Sequence, residues 1–379
     1  MVHSTEGERG FLALALFAAG IGLSLLLVRV GALYGALAGA GALVGLLAAD
    51  YAFAFRHNQV LGIAYPLLAV AFVYIAVTVS RYFLIGREAR FVRDAFSHYL
   101  APDVVETLVS RPDALRLGGE RRTLTVLFSD VRGFTTLSEG MAPDALAAFL
   151  NEYMTAMTGI VMEQKGTVDK FIGDAIMAFW GAPLPNPAHA RDAVSASLTM
   201  LRRLDGLREE WRRRGLPDID IGIGINTGEM TVGNMGSDSR FDYTVIGDNV
   251  NLASRLEGLN KPYGTRLLVT EATRAALGEG VCCRRIDRVR VKGKAEPVAI
   301  YEPLLAAPPD EALRDEVQAF HDAQDAYWAG RFSEARTAFD ALHTRYGHHL
   351  YSVYRDRADS FLLDPPPPDW DGVWTFTTK

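Results

Sequence analysis

The apolar positions of this chain follow two different patterns. Residues 11–28 (FLALALFAAGIGLSLLLV), 30–49 and 59–80 are three runs without a single charge. Each is long enough, or nearly so, to cross about 30 Å of hydrocarbon at roughly 1.5 Å per residue. A cleavable signal peptide accounts for the first run but not for all three. The alternative to three spans is two spans plus a re-entrant or interfacial segment. Gly31, Gly35 and Gly39, then Gly41 and Gly45, recur at intervals of four in the second run. Small residues at that spacing let helices approach closely in lipid, within one chain or between two. Arg81, Arg87, Arg90 and Arg93 follow the third run. The positive-inside rule then places the C-terminal side in the cytoplasm and the short N-terminus outside, with Arg29 inside and Arg56 as a dissent. Nothing outside the membrane is large enough to be a sensor domain.

Residues 82–120 read as a helical connector. Phe91, Ala95, Phe96 and Tyr99 recur at helical spacing, and Pro102 opens a second short helix with Val104, Val105, Leu108 and Val109 on its apolar side. Such a connector carries a signal or is a plain spacer.

From Arg121 the period changes. Residues 123–129 (TLTVLFS) predict a buried strand ending at Asp130. Residues 142–164 predict a helix through Leu146, Phe149, Leu150, Tyr153, Met154 and Met157, ended by Gly166. Residues 167–171 and 175–180 predict a hairpin around Ile172-Gly173-Asp174. A second helix is expected over 188–214, with Val194, Leu198, Leu201 and Leu204 on one face. Strands over 219–226 and 243–246, a helix over 247–259, and strands near 266–269 and across 289–301 complete the pattern. The order β-α-β-β-α-β predicts an α+β, ferredoxin-like split sheet with appended elements.

Composition adds three points. With 379 residues the chain has room for more than one folded unit, and 49% hydrophobic content favours a membrane segment. A net charge of −6 gives no reason to expect a nucleic-acid partner. The only cysteines, Cys282 and Cys283, are adjacent. They can neither staple distant segments nor supply metal-ligand spacing, and read as ordinary reduced residues.

The candidate chemistry sits at strand ends. Asp130 ends the first strand and Asp174 lies in the hairpin turn, so a ferredoxin-like sheet brings them to one end. Two close carboxylates repel, and a divalent cation relieves that cost; two aspartates at turns are also common as plain turn formers. Lys170 precedes Asp174 by four residues and is either a solvated edge residue or a ligand contact. Asn251 and Arg255, at i and i+4, share one helical face, with Val250, Ala253, Leu256 and Leu259 available for burial. That polar face is either simply solvated or, through its arginine, a grip on phosphate. Lys292 and Lys294 flank Gly293 in a VKGK turn and are a second potential phosphate contact.

Four runs taken together, VLFSDVRGFTTLSE (126–139), DKFIGDAIMAFWG (169–181), GINTGEMTVGNMGSDSRFDYTVIGDNVNLASRLEGLNKPYG (224–264) and VKGKAEPVAIYE (291–302), resemble the class III nucleotide cyclases. The resemblance implies a catalytic domain over residues 121–304, with a three-helix transmembrane region (1–81) and the connector before it. By position, Asp130 and Asp174 match the metal-binding aspartates, and Val131 matches a backbone carbonyl that also reaches a metal. Lys170 and Thr244 match the two purine-reading positions. Asn251 matches the residue that orients ribose and transition state, and Arg255 the one that stabilises charge on the transferring phosphate. Lys292, or Lys294 in its place, resembles the lysine on the triphosphate tail, and Arg240 aligns less securely as a further phosphate contact. Two Mg²⁺ or Mn²⁺ per active site are implied. So is a homodimer whose sites are shared, one subunit giving the aspartates and the other the base, ribose and phosphate contacts.

Position 244 is similar to the threonine-bearing bacterial branch, some of whose members respond to bicarbonate. Lysine and threonine, rather than the glutamate and cysteine usual in guanylate cyclases, point to ATP. The expected reaction is attack of the ribose 3′-oxygen on the α-phosphorus with pyrophosphate leaving, which leaves Ser129 and Ser254 as structural residues. The expected setting is the bacterial inner membrane, multi-pass, with the catalytic domain cytoplasmic. The alternatives are a guanylate cyclase and a non-catalytic membrane nucleotide sensor or scaffold.

Residues 305–379 read as a separate helical extension. Helices over 320–327 and 332–346, joined at Ala329-Gly330-Arg331, resemble one tetratricopeptide pair. One such pair is not stable alone, so it must pack on the catalytic domain, a partner or the dimer mate. Pro365 to Pro368 and the closing WDGVW are expected to be extended and anchored by tryptophans.

Overall fold

The chain divides into two units, Met1–Ala95 and Phe96–Lys379. The computed structural model describes residues 118–237, 240–278, 281–291, 296–304 and 310–376, and scattered positions between 41 and 79. The expected spans as continuous helices, and the connector before residue 118, lie outside the described residues. In the first unit the described positions are helical, and Leu68, Phe72, Ile75 and Val79, which fall at helical spacing, are all exposed. Among the described residues one helix, Pro143–Glu163, is long and apolar enough to cross a membrane. It belongs to the second unit, where its apolar side is core.

In the second unit β1 (Gly118–Val131) runs between two neighbours, antiparallel to each. The short helix α1 (Phe134–Gly140) and the long helix α2 (Pro143–Glu163) lead to β2 (Thr167–Ile172) and β3 (Ala175–Trp180). Helix α3 (His189–Arg213) precedes β4 (Ile221–Ser237) and β5 (Arg240–Ile246). Helix α4 (Asp248–Tyr263), β6 (Leu267–Thr270), the short α5 (Glu271–Leu277), β7 (Cys283–Arg290) and β8 (Val298–Pro303) complete the domain. The strand order is β2-β3-β1-β4-β6-β8-β7, with β5 paired to β4 and the C-terminal β9 (Trp374–Thr375) beside β7. Its first four strands are the split βαβ arrangement expected from the sequence.

Strand alternation separates the two faces of the sheet. Leu127, Ile176, Ala178, Trp180, Ile221, Ile223 and Ile225 pack under α2 and α3, which add Tyr153, Met157, Met200 and Trp211. Leu124, Val126, Met177 and Phe179 face the other way, against Val250 and Ala253 of α4. The glycine alternation of β4 is what admits α4: a Cβ on Gly224 would sit 2.3 Å from the Glu257 backbone nitrogen.

The C-terminal extension has three helices, not two: α6 (Glu311–Trp328), α7 (Phe332–Tyr346) and α8 (His349–Leu363). The apolar signal of α8 is broken by Arg355, Asp356, Arg357 and Asp359, several of which are spent on partners in other elements. Of the three placements left open by the sequence, the structure has the extension on the catalytic domain of its own chain. Phe320, Tyr327, Phe339, Tyr351 and Tyr354 share one buried cluster with Leu259, Tyr263, Leu268, Ile286 and Ile300. Burying each such ring stabilises by about 1.5–3 kcal/mol, which explains how a single helical repeat stays folded. Trp370 packs on Tyr327, Phe332 and Phe361. Trp374 opens β9 (Trp374–Thr375), which pairs parallel with β7. The region 289–301, read as strand, is instead the end of β7, a connection and the start of β8.

Candidate active site

The two candidate metal aspartates meet. Ser129 of β1 pairs with Ile176 of β3, so one further residue carries Asp130 to the tip of the β2–β3 hairpin. Gly173 makes that tip possible by adopting φ 67°, and Asp174 follows it. The two carboxyl groups lie within hydrogen-bonding reach of each other, and Asp130 also accepts from the Val131 N–H at 3.1 Å. Burial, then the bond to and the charge of Asp174, push the Asp130 carboxyl up to about 6. Among the described residues no Lys, Arg or His lies within ion-pair distance of either group. Val131 keeps its side chain in the core at 5% exposure, which leaves its backbone for the site.

Glu257 on α4 feels the same pair. Burial, then Asp130, raise its carboxyl to about 7 against the pull of Arg132. It is not a third ligand: among the described residues no group of three acidic, His or Cys side chains is close enough to hold a metal. Glu257 carries no signal in the sequence, since two places after Arg255 it has the look of an ordinary solvated helix position.

A second cluster gathers the candidate base-reading residues. Thr244 of β5 is 7% exposed and donates its hydroxyl to Asp169 Oδ2 at 2.6 Å. Lys170 Nζ approaches the other oxygen, Oδ1, at 3.3 Å. Asp169 itself was missed. Its side chain is fully buried, and β2 carries a bulge between Val168 and Lys170 that takes Asp169 out of register. A bulge re-aims a side chain in a way that strand alternation alone does not announce.

The third group lies on α4. Asn226 anchors the start of this helix: its Nδ2 donates to the Asn249 carbonyl at 2.9 Å, and its Oδ1 accepts from Thr270 at 2.7 Å. Val250, Leu252, Ala253, Leu256 and Leu259 are buried, as the helical face required. Asn251 is exposed. Arg255 has a buried Nη1 without a hydrogen-bond partner, so part of its guanidinium is desolvated and unspent. Arg240 opens β5 opposite Ser237, but its side chain lies outside the described residues. Lys292 and Lys294 lie outside them altogether. Ser129 is fully buried beside Tyr153, as a structural residue would be, and both cysteines are free.

The arrangement is thus an unmatched anionic pair at one sheet end, an unspent arginine on a helix, and a lysine–threonine pair held by a buried acid. Residues 119–302 match the family model of the adenylate and guanylate cyclase catalytic domain. Adenylate cyclase of Anabaena cylindrica is 40% identical over 221 residues, 56% of this chain and 42% of that one. The crystal structure of an adenylyl cyclase from P. aeruginosa is 42% identical and covers 50% of this chain and 97% of its own, with a TM-score of 0.47. A solved guanylyl cyclase is 35% identical over 52% of this chain and 98% of its own, with a TM-score of 0.46. The chain spans less than half the length of the curated relatives it matches. Residues 119–302 of this chain belong to the adenylate and guanylate cyclase catalytic domain family.

Proposed function

We propose that this chain is a membrane-anchored adenylate cyclase that converts ATP to 3′,5′-cyclic AMP and pyrophosphate at sites shared between two copies. The observation that carries this reading is the Asp130–Asp174 pair, two carboxyl groups brought together with no cationic side chain beside them. Two oxygen-donor side chains plus the Val131 carbonyl suit Mg²⁺ or Mn²⁺, which bind few protein ligands and keep places for phosphate oxygens. When bound, two such ions would lower the pKa of the ribose 3′-hydroxyl and offset the phosphate charge.

The chain's own residues do the rest. Arg255, with donors to spare, meets the charge that develops as the 3′-oxygen attacks the α-phosphorus and pyrophosphate departs. Asn251 orients the ribose. Lys170 and Thr244 hold the base, and Lys292 or Lys294, with Arg240, holds the triphosphate tail.

Two features support a homodimeric site. Among the described residues of one chain the carboxylate pair has no cation beside it and Arg255 no anion, so each is complementary to the other's surplus. Phe171, Ile172, Phe241 and Ile246, on the strands that carry Lys170 and Thr244, are exposed apolar side chains that a second copy would cover. The threonine at 244 supports the bacterial branch with that residue. For the membrane, the exposed Leu68, Phe72, Ile75 and Val79 support a helix face turned to lipid, in line with three spans, a cytoplasmic catalytic domain and a bacterial inner-membrane setting.

The test uses the full chain in detergent or vesicles with ATP or GTP and Mg²⁺ or Mn²⁺. More cyclic AMP than cyclic GMP is the expected result, and the reverse reassigns the substrate. Asp174→Ala and Arg255→Ala chains should each be inactive, yet an equal mixture should recover about a quarter of the wild-type rate, because half the dimers then hold one intact site of two. No recovery on mixing overturns the shared site.

A further inference from the structure

We infer that Asp169 is a specificity-determining positioning residue: by taking the Thr244 hydroxyl hydrogen, it turns Thr244 into an obligate acceptor and so selects a purine with an amino group at C6. The inference rests on the proposed nucleotide cyclase reading. A threonine hydroxyl has one hydrogen and two lone pairs, so on its own it serves a donor or an acceptor equally. Here its hydrogen is committed. The 2.6 Å bond runs from Thr244 Oγ1 to Asp169 Oδ2, inside a site where the acid has no exposed surface and Thr244 is 7% exposed.

The surroundings of Asp169 fix the direction of that bond. A carboxylate accepts only, and this one takes the Thr244 hydroxyl on Oδ2 and pairs with the Lys170 ammonium, 3.3 Å from Oδ1, an oxygen that is buried and otherwise unpartnered among the described residues. Burial is the largest influence and raises the Asp169 carboxyl above its ordinary value, while the Thr244 hydroxyl and the Lys170 charge pull it back toward the ionised form. With its hydrogen turned inward, Thr244 offers lone pairs to a base. Adenine presents an N–H at C6, which fits; guanine or hypoxanthine presents a carbonyl oxygen, which leaves two acceptors facing each other. The same acid braces Lys170, so one buried group orients both base-reading side chains. The β2 bulge is what delivers it, since a regular strand would not aim residues 169 and 170 at one place.

The test compares kcat/KM for ATP and inosine triphosphate in the full-length wild type, Asp169→Asn, Thr244→Val and the double variant. In Asp169→Asn the Lys170 charge draws the amide oxygen, leaving the amide N–H to donate to Thr244 and turn its hydrogen outward. The ATP-to-inosine-triphosphate ratio should fall about tenfold to a hundredfold, the scale of one unmatched buried polar contact. In the Thr244→Val background the same change should shift the ratio no further, which a merely structural role of Asp169 would not produce. Equal losses with both nucleotides, or additive shifts in the double variant, overturn the inference. If Asp169→Asn melts or precipitates, Thr244→Ser against Thr244→Val decides: serine should keep the wild-type ratio and valine lose it, and equal ratios in the two reject the acceptor role. A wild type that forms no cyclic nucleotide counts against the proposed function. A wild type that turns over both nucleotides equally counts against Asp169 alone.

Discussion

Two acidic centres, the half-buried pair Asp130 and Asp174 and the buried Asp287, are built in opposite ways. Asp287 on β7 is 1% exposed and fully provided for. Its Oδ2 accepts from Arg357 Nη1 at 2.6 Å and from the Tyr263 hydroxyl at 2.5 Å, and its Oδ1 from the Arg288 N–H at 2.7 Å. Arg357 is in turn capped by the Trp374 ring, 4.0 Å from its guanidinium carbon. Among the described residues Asp130 and Asp174 have each other and one backbone N–H as partners. A buried charge that is completely satisfied is architecture; it ties β7, the end of α4 and the C-terminal extension together. A pair held close with no cation beside it among the described residues stores repulsion that a bound ion would release, which is the basis of the metal role proposed for it.

The two centres should therefore fail differently. Asp174→Ala should lower cyclic AMP formation about a thousandfold or more. Well above pH 6, where Asp130 has lost its proton and the hydrogen bond it makes to Asp174, it should leave the unfolding temperature of the metal-free protein unchanged or raised, because it then removes repulsion only. A matching loss of stability would erase the contrast. Arg357→Ala should do the opposite. It leaves Asp287 buried without its cation, at a cost of about 3–5 kcal/mol, readable by denaturant titration. Adding Asp287→Asn to that variant should recover part of the loss, since the stranded charge is then gone; no recovery would mean that packing, not charge, holds the extension.

Tyr263→Phe probes whether α4 transmits between the centres. The hydroxyl it removes bonds a charged acceptor, so about 1.5–3 kcal/mol of stability is expected to go. Asn251 and Arg255 lie two to three turns away on the same helix, whose start is pinned separately by Asn226. Activity measured well below the melting point should fall less than tenfold. A collapse of activity as deep as that of Asp174→Ala would show the two centres to be one.

The contrast also explains what the sequence could and could not announce. The meeting of Asp130 and Asp174 was legible because its parts are local or topological: Gly173-Asp174 forms a tight hairpin, and a split βαβ order puts β1 beside it. The helix spacing of Asn251 and Arg255 was legible for the same reason. The architectural centre was not, since Asp287 and Arg357 are 70 residues apart and each looks solvated in its own segment. Helix α8 was not legible either, because a run of charged positions, with Arg357 buried by its partners among them, interrupts the apolar period. Asp169 escaped for a third reason: a one-residue bulge breaks the alternation that sequence patterns rely on. The start of β1 and the end of β4 extend past the expected strands as a ribbon, Gly118 to Arg122 against Met230 to Asn234, whose β1 side is glycine and charge and so carries no apolar signal. The short helices α1 and α5 span 7 residues each, too few to show a period.

The smallest expected effect is the most direct reading of the unmatched pair. In the metal-free fold the Asp130 carboxyl sits at about 6, above its ordinary value of 3.8. The folded state therefore holds a proton that the unfolded chain has already released. This favours folding at low pH, and the advantage is lost as pH rises from 3.8 through about 6. A divalent ion needs the ionised carboxylate and so takes over where the proton leaves. Mg²⁺ should accordingly raise the unfolding temperature by a few degrees at about pH 7.5 and by distinctly less at about pH 5, relative to chelator at each pH. Asp174→Ala should remove the difference between the two pH values. An Mg²⁺ shift that is the same at both, or that survives in this variant, would place the ion away from the two carboxylates and leave their approach unexplained.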